Sequence, residues 1–279
     1  MSSLKEFDLP FEGTTIHCWE GGAGRPLILM HGSGAGCGTF SNFRAVIDDL
    51  CEGFHVFATD MLGYGLSGRR PAPPYFDVPM WVRQLLALID HAGEARVGLV
   101  GHSLAGALAL KAAAQDTRVS AVLTTGTMGT PAPERAGSGS WTFPEDRTAI
   151  RAHIEGTLYD KSLVPEGEIE DRAKVLYAPG YRDYFNSMFG ADRRTFFAES
   201  VVTQDELDAV SCPVVLMHGW NDSFVSPEES SLPLSKTIPQ SDVVVLGRCG
   251  HSVALEYPDK FNAAVTQLFS RAMPLSSLE

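Results

Sequence analysis

Apolar positions along the chain follow two rhythms. Val97 to Val100 is too short and too apolar for a helix and predicts a buried strand, whereas Leu104 to Gln115 carries apolar residues at helical spacing among strong helix formers. The same alternation runs through the first half. Lys5 to Phe11 and Thr14 to Glu20 flank Glu12-Gly13 as a hairpin, and Gly21 to Gly24 turns into a strand at Pro26 to Met30. Helices follow at Asn42 to Leu50 and Pro79 to Asp90, and strands at His55 to Thr59 and Val119 to Thr125. After a gap the pattern resumes with a strand at Pro213 to His218 and a helix at Ser226 to Thr237 with Pro227 in its first turn. A strand at Val243 to Leu246 and a helix at Asp259 to Ala272 close the chain. Strands alternating with helices predict an α/β fold, a mostly parallel central sheet with helices on both faces.

The gap is informative. From Glu134 to about Asp208 no β-α-β spacing survives, and Asp146 to Tyr159, Pro165 to Leu176 and Tyr181 to Met188 predict helices separated by Gly and Pro. Because the alternation resumes beyond it, this segment is expected to be a helical lid inserted in one core rather than a separate interaction domain. The expected division is core 1–133, lid 134–208 and core 209–279. Such a lid closes over substrate and excludes water. Its residues Trp141, Phe143, Tyr181, Phe185, Met188, Phe189, Phe196 and Phe197 suit an apolar acyl pocket, although packing of lid on core is the commoner use of such a stripe.

Composition narrows the partners. The 279 residues are 44% hydrophobic, ample for a sizeable core, and Lys+Arg 22 against Asp+Glu 34 leaves a net charge of -12. With no basic cluster longer than Arg69-Arg70 or Arg193-Arg194, nucleic acid and anionic membrane surfaces are excluded as expected partners. An anionic substrate would need a locally placed arginine. Five scattered cysteines without a CxxC pair suggest reduced thiols rather than disulfides or a zinc site. The first twenty residues hold no signal pattern and no apolar run reaches membrane-spanning length, so a soluble, cytoplasmic protein is expected. A homo-oligomer is compatible with all of this.

The candidate chemistry sits on turns. Ser103 lies between the strand ending at Val100 and the helix opening at Leu104, in Gly101-His102-Ser103-Leu104-Ala105. This is the nucleophile elbow of the α/β-hydrolase fold, with Ala105 where the usual pattern has Gly. The sharp turn brings strand and helix backbones together, which Gly101, Ala105 and Gly106 permit. The N–H of Leu104 has no intrahelical partner and is free to face an oxyanion. A buried structural serine is the competing reading of the pentapeptide alone.

The glycine-rich loop His31-Gly-Ser-Gly-Ala-Gly36 is expected to supply the second oxyanion donor through the N–H of Ser33, or less favourably Gly34. A phosphate cradle is disfavoured, because the Lys-Ser/Thr ending of a P-loop is missing. Asp60-Met-Leu-Gly-Tyr-Gly-Leu-Ser67 is expected to be a structural turn ordered by its acid.

A nucleophilic serine needs an imidazole to take its proton and a carboxylate to fix that imidazole. Asp222 follows a late strand and His251 follows the last one, which is the chain order of the α/β-hydrolase triad. Of the other histidines, His31 is expected to order the oxyanion loop and His102 to flank the nucleophile, while His17, His55, His91, His153 and His218 lack companion motifs. A binding protein on the same scaffold would keep these residues too.

Over most of its length the chain resembles the meta-cleavage-product hydrolases, the carbon–carbon bond hydrolases of bacterial aromatic degradation. The resemblance is carried by His31-Gly-Ser-Gly followed by Asn42-Phe43, by the Asp60 to Ser67 turn, and by Ser103 with Gly106-Ala-Leu-Ala-Leu110. Narrower signals are Leu158-Tyr-Asp-Lys-Ser-Leu163 and Gly247-Arg-Cys-Gly-His251. It implies that Arg172 of the lid engages a dienoate, and that a 2-hydroxy-6-oxo-dienoate is converted to a keto tautomer, attacked by Ser103 and released through an acyl-enzyme. It implies neither metal nor organic cofactor.

The chain departs from that family at Ala35, usually Pro, at His102, often Asn, and at Ser252, usually Trp. His102 and Ser252, with Gly32 and Gly34, are expected to border the substrate. These departures keep open an esterase or lactonase acting on small carboxylic esters. Epoxide hydrolases and haloalkane dehalogenases are disfavoured, since they use Asp where this chain has Ser103.

Overall fold

The computed structural model describes residues 4–132 and 141–273. Eight strands form one sheet: β1 (Lys5–Phe11), β2 (Thr14–Gly22), β3 (Arg25–Met30), β4 (Phe54–Thr59), β5 (Val97–His102), β6 (Val119–Thr125), β7 (Val214–Gly219) and β8 (Ser241–Leu246). Their order is β1-β2-β4-β3-β5-β6-β7-β8. β1, β2 and β4 pair antiparallel, and every pairing from β4 to β8 is parallel. Glu12 and Gly13 make the first hairpin with φ of 44° and 81°.

Side chains alternate across the sheet as strand geometry requires. Ile28 and Met30 of β3 and Val97 and Leu99 of β5 enter one apolar cluster, while Leu27, Leu29 and Val100 enter the other. The first cluster is roofed by α3 (Val78–Ala92) and α4 (Leu104–Gln115), the second by α1 (Thr39–Phe43), α2 (Ile47–Gly53) and α12 (Pro258–Ala272). Both faces of the sheet are therefore covered, as the continuous apolar strands require.

From β3 the chain forms β4 on one side, then crosses to β5 on the other. This reversal opens a crevice at the carboxyl ends of β3 and β5, the place where α/β sheets hold ligands.

Between β6 and β7 the described residues form α5 (Arg147–Gly156), a 3-10 turn at Lys161–Leu163, α6 (Glu168–Leu176), α7 (Tyr181–Met188) and α8 (Arg193–Ser200), followed by one further helix. α5, α6 and α7 share a small core of their own, in which Phe143, Ile150, Ile154, Leu176 and Phe185 pack against Ala35, whereas Phe196 and Phe197 of α8 join the first cluster. The junction expected at residues 133 and 134 lies outside the described residues. α9 (Gln204–Ala209) packs on α4, where Glu206 accepts from Lys111 at 2.7 Å. The remaining helices are α10 (Ser231–Thr237) and α11 (Val253–Glu256).

α8, α9 and α11 were not among the expected helices, and two expected helices take a different form. The single helix expected at Asn42 to Leu50 is the pair α1 and α2, broken where Val46 N bonds to Phe43 O at 3.0 Å; Phe43, Val46, Ile47 and Leu50 still enter one cluster. The helix expected from Ser226 starts at Ser231, because Ser230 leaves helical geometry (φ −134°, ψ −84°) and its hydroxyl bonds to Thr127 O. No helix among the described residues is long and apolar enough to cross a membrane.

Candidate active site

β5 ends at His102 and α4 starts at Leu104, so Ser103 alone makes the turn, at φ 57° and ψ −120°. A non-glycine residue there is strained. Main-chain bonds hold it: Ser103 N donates to Thr125 O (2.8 Å), and Ser103 O accepts from Gly106 N (3.0 Å) and Met128 N (3.0 Å). A Cβ on Gly101 would stand 2.2 Å from Ala105 O, and one on Gly106 2.2 Å from Thr127 Oγ1. The close approach thus needs glycine at 101 and 106, and Ala105 fits fully buried.

The loop after β3 presses on this turn. A Cβ on Gly32 would lie 2.9 Å from both Ser103 Cβ and His102 Cδ2. Gly32 N donates to Asn42 Oδ1 (3.0 Å), Cys37 N donates to Gly34 O (3.0 Å) and Tyr64 Oη donates to Ser33 O (3.3 Å). His31 Nε2 accepts from Met61 N at 2.9 Å, so its Nδ1 carries the proton and donates to Gly32 O at 2.7 Å. Burial holds the His31 pKa below its ordinary value, consistent with that neutral form. Across the loop, Trp141 Nε1 donates to Ser33 Oγ at 3.0 Å. Ser33 is thereby fixed beside the nucleophile, and Leu104, as the first residue of α4, has no carbonyl one turn earlier to occupy its N–H. Both expected oxyanion donors come from adjacent strands at the crevice.

Asp222, after β7, and His251, after β8, meet at the carboxyl ends of these strands. His251 Nδ1 lies 2.6 Å from Asp222 Oδ2, which makes Nδ1 the protonated nitrogen and leaves Nε2 without a proton. Asp222 Oδ1 accepts from Phe224 N (2.8 Å) and Val225 N (3.2 Å), and His218 Nε2 sits 3.1 Å from Oδ2. Burial alone would raise the Asp222 pKa; the charge of His251 and the bonds from His218 and His251 overcome it and hold the carboxyl well below the ordinary range.

Ser103, His251, Arg172, His102 and Ser252 line one cavity together with Gly32, Ser33 and Gly34. Leu104 and Asp222 are not among the lining residues; Asp222 reaches the cavity through His251. Arg172 is 6% exposed, and its Nε donates to Glu168 Oε1 at 2.6 Å while Nη1 donates to Ala35 O at 3.3 Å. Burial opposes its charge, but Cys37 and Glu168 beside it raise its pKa above the usual value. The described residues thus place a cation in the cavity despite the acidic chain. Burial, then the neighbouring His251, push the His102 pKa well below its ordinary value; its Nδ1 is 2.9 Å from Thr125 Oγ1.

Of the lid aromatics, Trp141 and Phe197 line the cavity, whereas Phe143, Tyr181 and Phe185 belong to the lid's own core. Asp60 orders its turn as expected, accepting from Thr39 N (2.7 Å) and Leu66 N (2.8 Å). Sequence reasoning missed His218, Glu168 and His153, the last of which lines the cavity. The Glu168-to-Arg172 spacing of four on one helix was a readable signal. Nothing in the sequence marked His218.

A family model described as the alpha/beta hydrolase fold matches residues 25–258. A 2-hydroxy-6-oxo-2,4-heptadienoate hydrolase of Pseudomonas putida is 33% identical over 87% of this chain and 87% of its own. A 2-hydroxymuconate semialdehyde hydrolase of Pseudomonas sp. is 29% identical over 93% of this chain and 91% of its own. Among solved structures, a meta-cleavage product hydrolase from Pseudomonas fluorescens superposes with a TM-score of 0.88 at 28% identity, covering 95% of this chain and 98% of that one. The 2-hydroxy-6-oxo-6-phenylhexa-2,4-dienoate hydrolase of a Rhodococcus strain gives 0.86 at 28% identity, covering 96% and 99%.

Proposed function

The chain belongs to the α/β-hydrolase family, and we propose that it is a carbon–carbon bond hydrolase acting on a 2-hydroxy-6-oxo-dienoate, a meta-cleavage product of aromatic degradation. The observation that carries this reading is Arg172, a buried lid cation in the same cavity as Ser103 and His251. An esterase for neutral substrates has no need of a desolvated guanidinium there. A dienoate brings a carboxylate to meet it.

Arg172 holds the substrate carboxylate at one end, which sets the C6 ketone over Ser103. The dienol is first converted to its keto tautomer, the 2-hydroxyl proton being lost and a proton gained on the carbon chain at C5. Breaking the C5–C6 bond then leaves an electron pair that is delocalised into the unsaturated 2-keto acid. Ser103 Oγ attacks C6 while His251 Nε2 takes its proton, and the oxyanion is met by the N–H groups of Ser33 and Leu104. Asp222 stabilises the imidazolium that forms.

Collapse of the tetrahedral intermediate breaks C5–C6, the electron pair is delocalised to the C2 oxygen, and the imidazolium returns its proton to that oxygen. Water, activated by the same histidine, hydrolyses the acyl-Ser103 ester. The products are a 2-hydroxydienoate and a carboxylic acid. The acyl side of the cavity is bounded by Met128, Trp141, Phe197 and Phe224, which suits an apolar substituent on C6.

The test is stopped-flow absorbance with methyl- and phenyl-substituted 2-hydroxy-6-oxo-dienoates beside p-nitrophenyl acetate, with Ser103→Ala as control. Loss of dienoate colour with formation of hydroxydienoate and acid, at a kcat/KM well above that for the ester, is the expected result. Efficient ester turnover with unchanged dienoate would make the protein a carboxylesterase or lactonase.

A further inference from the structure

A helix ends with carbonyls that have no partner of their own, and those of α5 are taken up by the two loops that carry Asp222 and His251. Gly156 O accepts from Ser223 Oγ at 3.1 Å. Thr157 O accepts from His251 N at 2.8 Å and from Ser252 N at 3.1 Å. Ser252 Oγ donates to Thr157 Oγ1 at 3.0 Å, which donates to Ile154 O at 2.7 Å. The Ser252 hydroxyl is therefore spent on the lid.

On the far side stands Glu256. Its Oε1 accepts from Gly250 N at 2.6 Å, and its Oε2 accepts from Tyr159 N at 2.8 Å and Asp160 N at 3.1 Å. One carboxylate thus holds the histidine loop with one oxygen and the lid segment with the other. Gly250 permits the approach: a Cβ there would stand 2.6 Å from Thr157 O and 2.9 Å from Tyr159 N. The two narrowest sequence signals, Leu158 to Leu163 and Gly247 to His251, are the two halves of this contact.

We propose that Glu256 and Thr157 clasp the C-terminal end of lid helix α5 to the His251 loop, so that the lid sets the position of the imidazole and both act as positioning residues for His251. This rests on reading His251 as the general base. The lid cannot lift at this edge without displacing the histidine. Charge-assisted bonds from three N–H groups to one carboxylate make the clasp stiff.

The test compares Glu256→Gln and Thr157→Val with wild type. Glutamine keeps one accepting oxygen and turns an NH2 donor against N–H donors, opening the clasp without removing volume. Thr157→Val removes only the hydroxyl link and serves if the first variant fails to fold. Two readouts are taken: kcat and KM for p-nitrophenyl acetate and for a dienoate, and the low-field proton resonance of the His251 Nδ1–H facing Asp222, identified by its loss in His251→Ala. The expected result is a fall in kcat of tenfold or more for Glu256→Gln and a few-fold for Thr157→Val. KM is expected to stay within twofold, with the low-field resonance shifted or broadened and far-UV circular dichroism retained. Because ester turnover needs His251 but no carboxylate on the substrate, the result holds even if the dienoate is inert. A folded Glu256→Gln or Thr157→Val enzyme with wild-type kcat and an unmoved resonance would overturn the proposal.

Discussion

His218 Nε2 lies 3.1 Å from Asp222 Oδ2, the same oxygen that faces His251. Val225 O accepts from the same nitrogen at 2.8 Å, so Nε2 carries the proton and His218 presents a donor to the carboxylate. Two imidazoles thus aim one acid. His218→Phe leaves Oδ2 with a single partner. A hydrogen bond to a charged group contributes about 1.5–3 kcal/mol, so kcat is expected to fall by roughly tenfold or more. KM should stay near wild type, because His218 does not line the cavity. Steady-state kinetics on both substrate classes checks this, and an unchanged kcat would remove His218 from the mechanism.

The ion pair on α6 separates binding from chemistry. Arg172→Lys keeps the charge but loses the planar fork and the Nε bond to Glu168. KM for an anionic dienoate is expected to rise about 10- to 100-fold, as expected for losing a charge-assisted bond. Turnover of p-nitrophenyl acetate should change less than about twofold, since a neutral ester lacks the carboxylate to be bound. Equal losses on both substrates would mean that Arg172 holds the loop through Ala35 rather than the substrate.

The oxyanion loop gives a contrast between neighbouring glycines. A Cβ on Gly32 meets Ser103 Cβ and His102 Cδ2, both at 2.9 Å, and must displace the loop from the nucleophile. One on Gly34 meets Cys37 Sγ at 2.8 Å, the tip of a side chain that can turn. Gly32→Ala is therefore expected to lower kcat about 100-fold, the scale of losing an oxyanion donor. Gly34→Ala should cost markedly less. Burst kinetics with p-nitrophenyl acetate reads both, and equal effects would contradict the placement of Ser33.

Stability should depend on buried neutral histidines. Burial lowers the pKa of His31, His102 and His153 below their ordinary value, with His251 also acting on His102 and Arg172 on His153. Once unfolded, these residues bind protons below about pH 6.5, so the unfolded state gains protons that the folded state does not. Their contribution is complete above that pH and is lost as pH falls toward the depressed folded-state values. The loss approaches about 1.4 kcal/mol per pH unit for each histidine. Urea unfolding at pH 7.5 and 5.5 measures the slope, and His102→Gln should flatten it. A slope unchanged by that substitution would show that His102 does not stay neutral.

The sheet and the elbow were legible in the sequence because they rest on local rules. Four apolar residues, one serine and an alanine-rich helix leave little freedom, and α4 spans Leu104 to Gln115 as the spacing predicts. Asp222 and His251 were found by chain order, and the structure brings them to 2.6 Å. What stayed hidden depends on contacts between distant segments. The bend between α1 and α2 follows the apolar cluster around Phe43, and the late start of α10 follows the pull of Thr127 O on Ser230. Glu256 lies 96 and 97 positions from the N–H groups it holds on the lid, and no spacing rule reaches so far. Ser252 was expected to border substrate and does line the cavity, but only the structure shows its hydroxyl turned to Thr157.

The strained backbone at Ser103 has an evolutionary consequence. Its pose is set by the bonds that its own N and O make to Thr125, Gly106 and Met128 and by the glycines at 101 and 106. Among the described residues the hydroxyl takes no part in holding it. Whatever side chain occupies position 103 is therefore lifted into the cavity in the same attitude, beside the same donors. The scaffold can exchange its nucleophile by a single codon and inherit the rest of the machinery, which is how one backbone can serve unrelated bond-breaking chemistries.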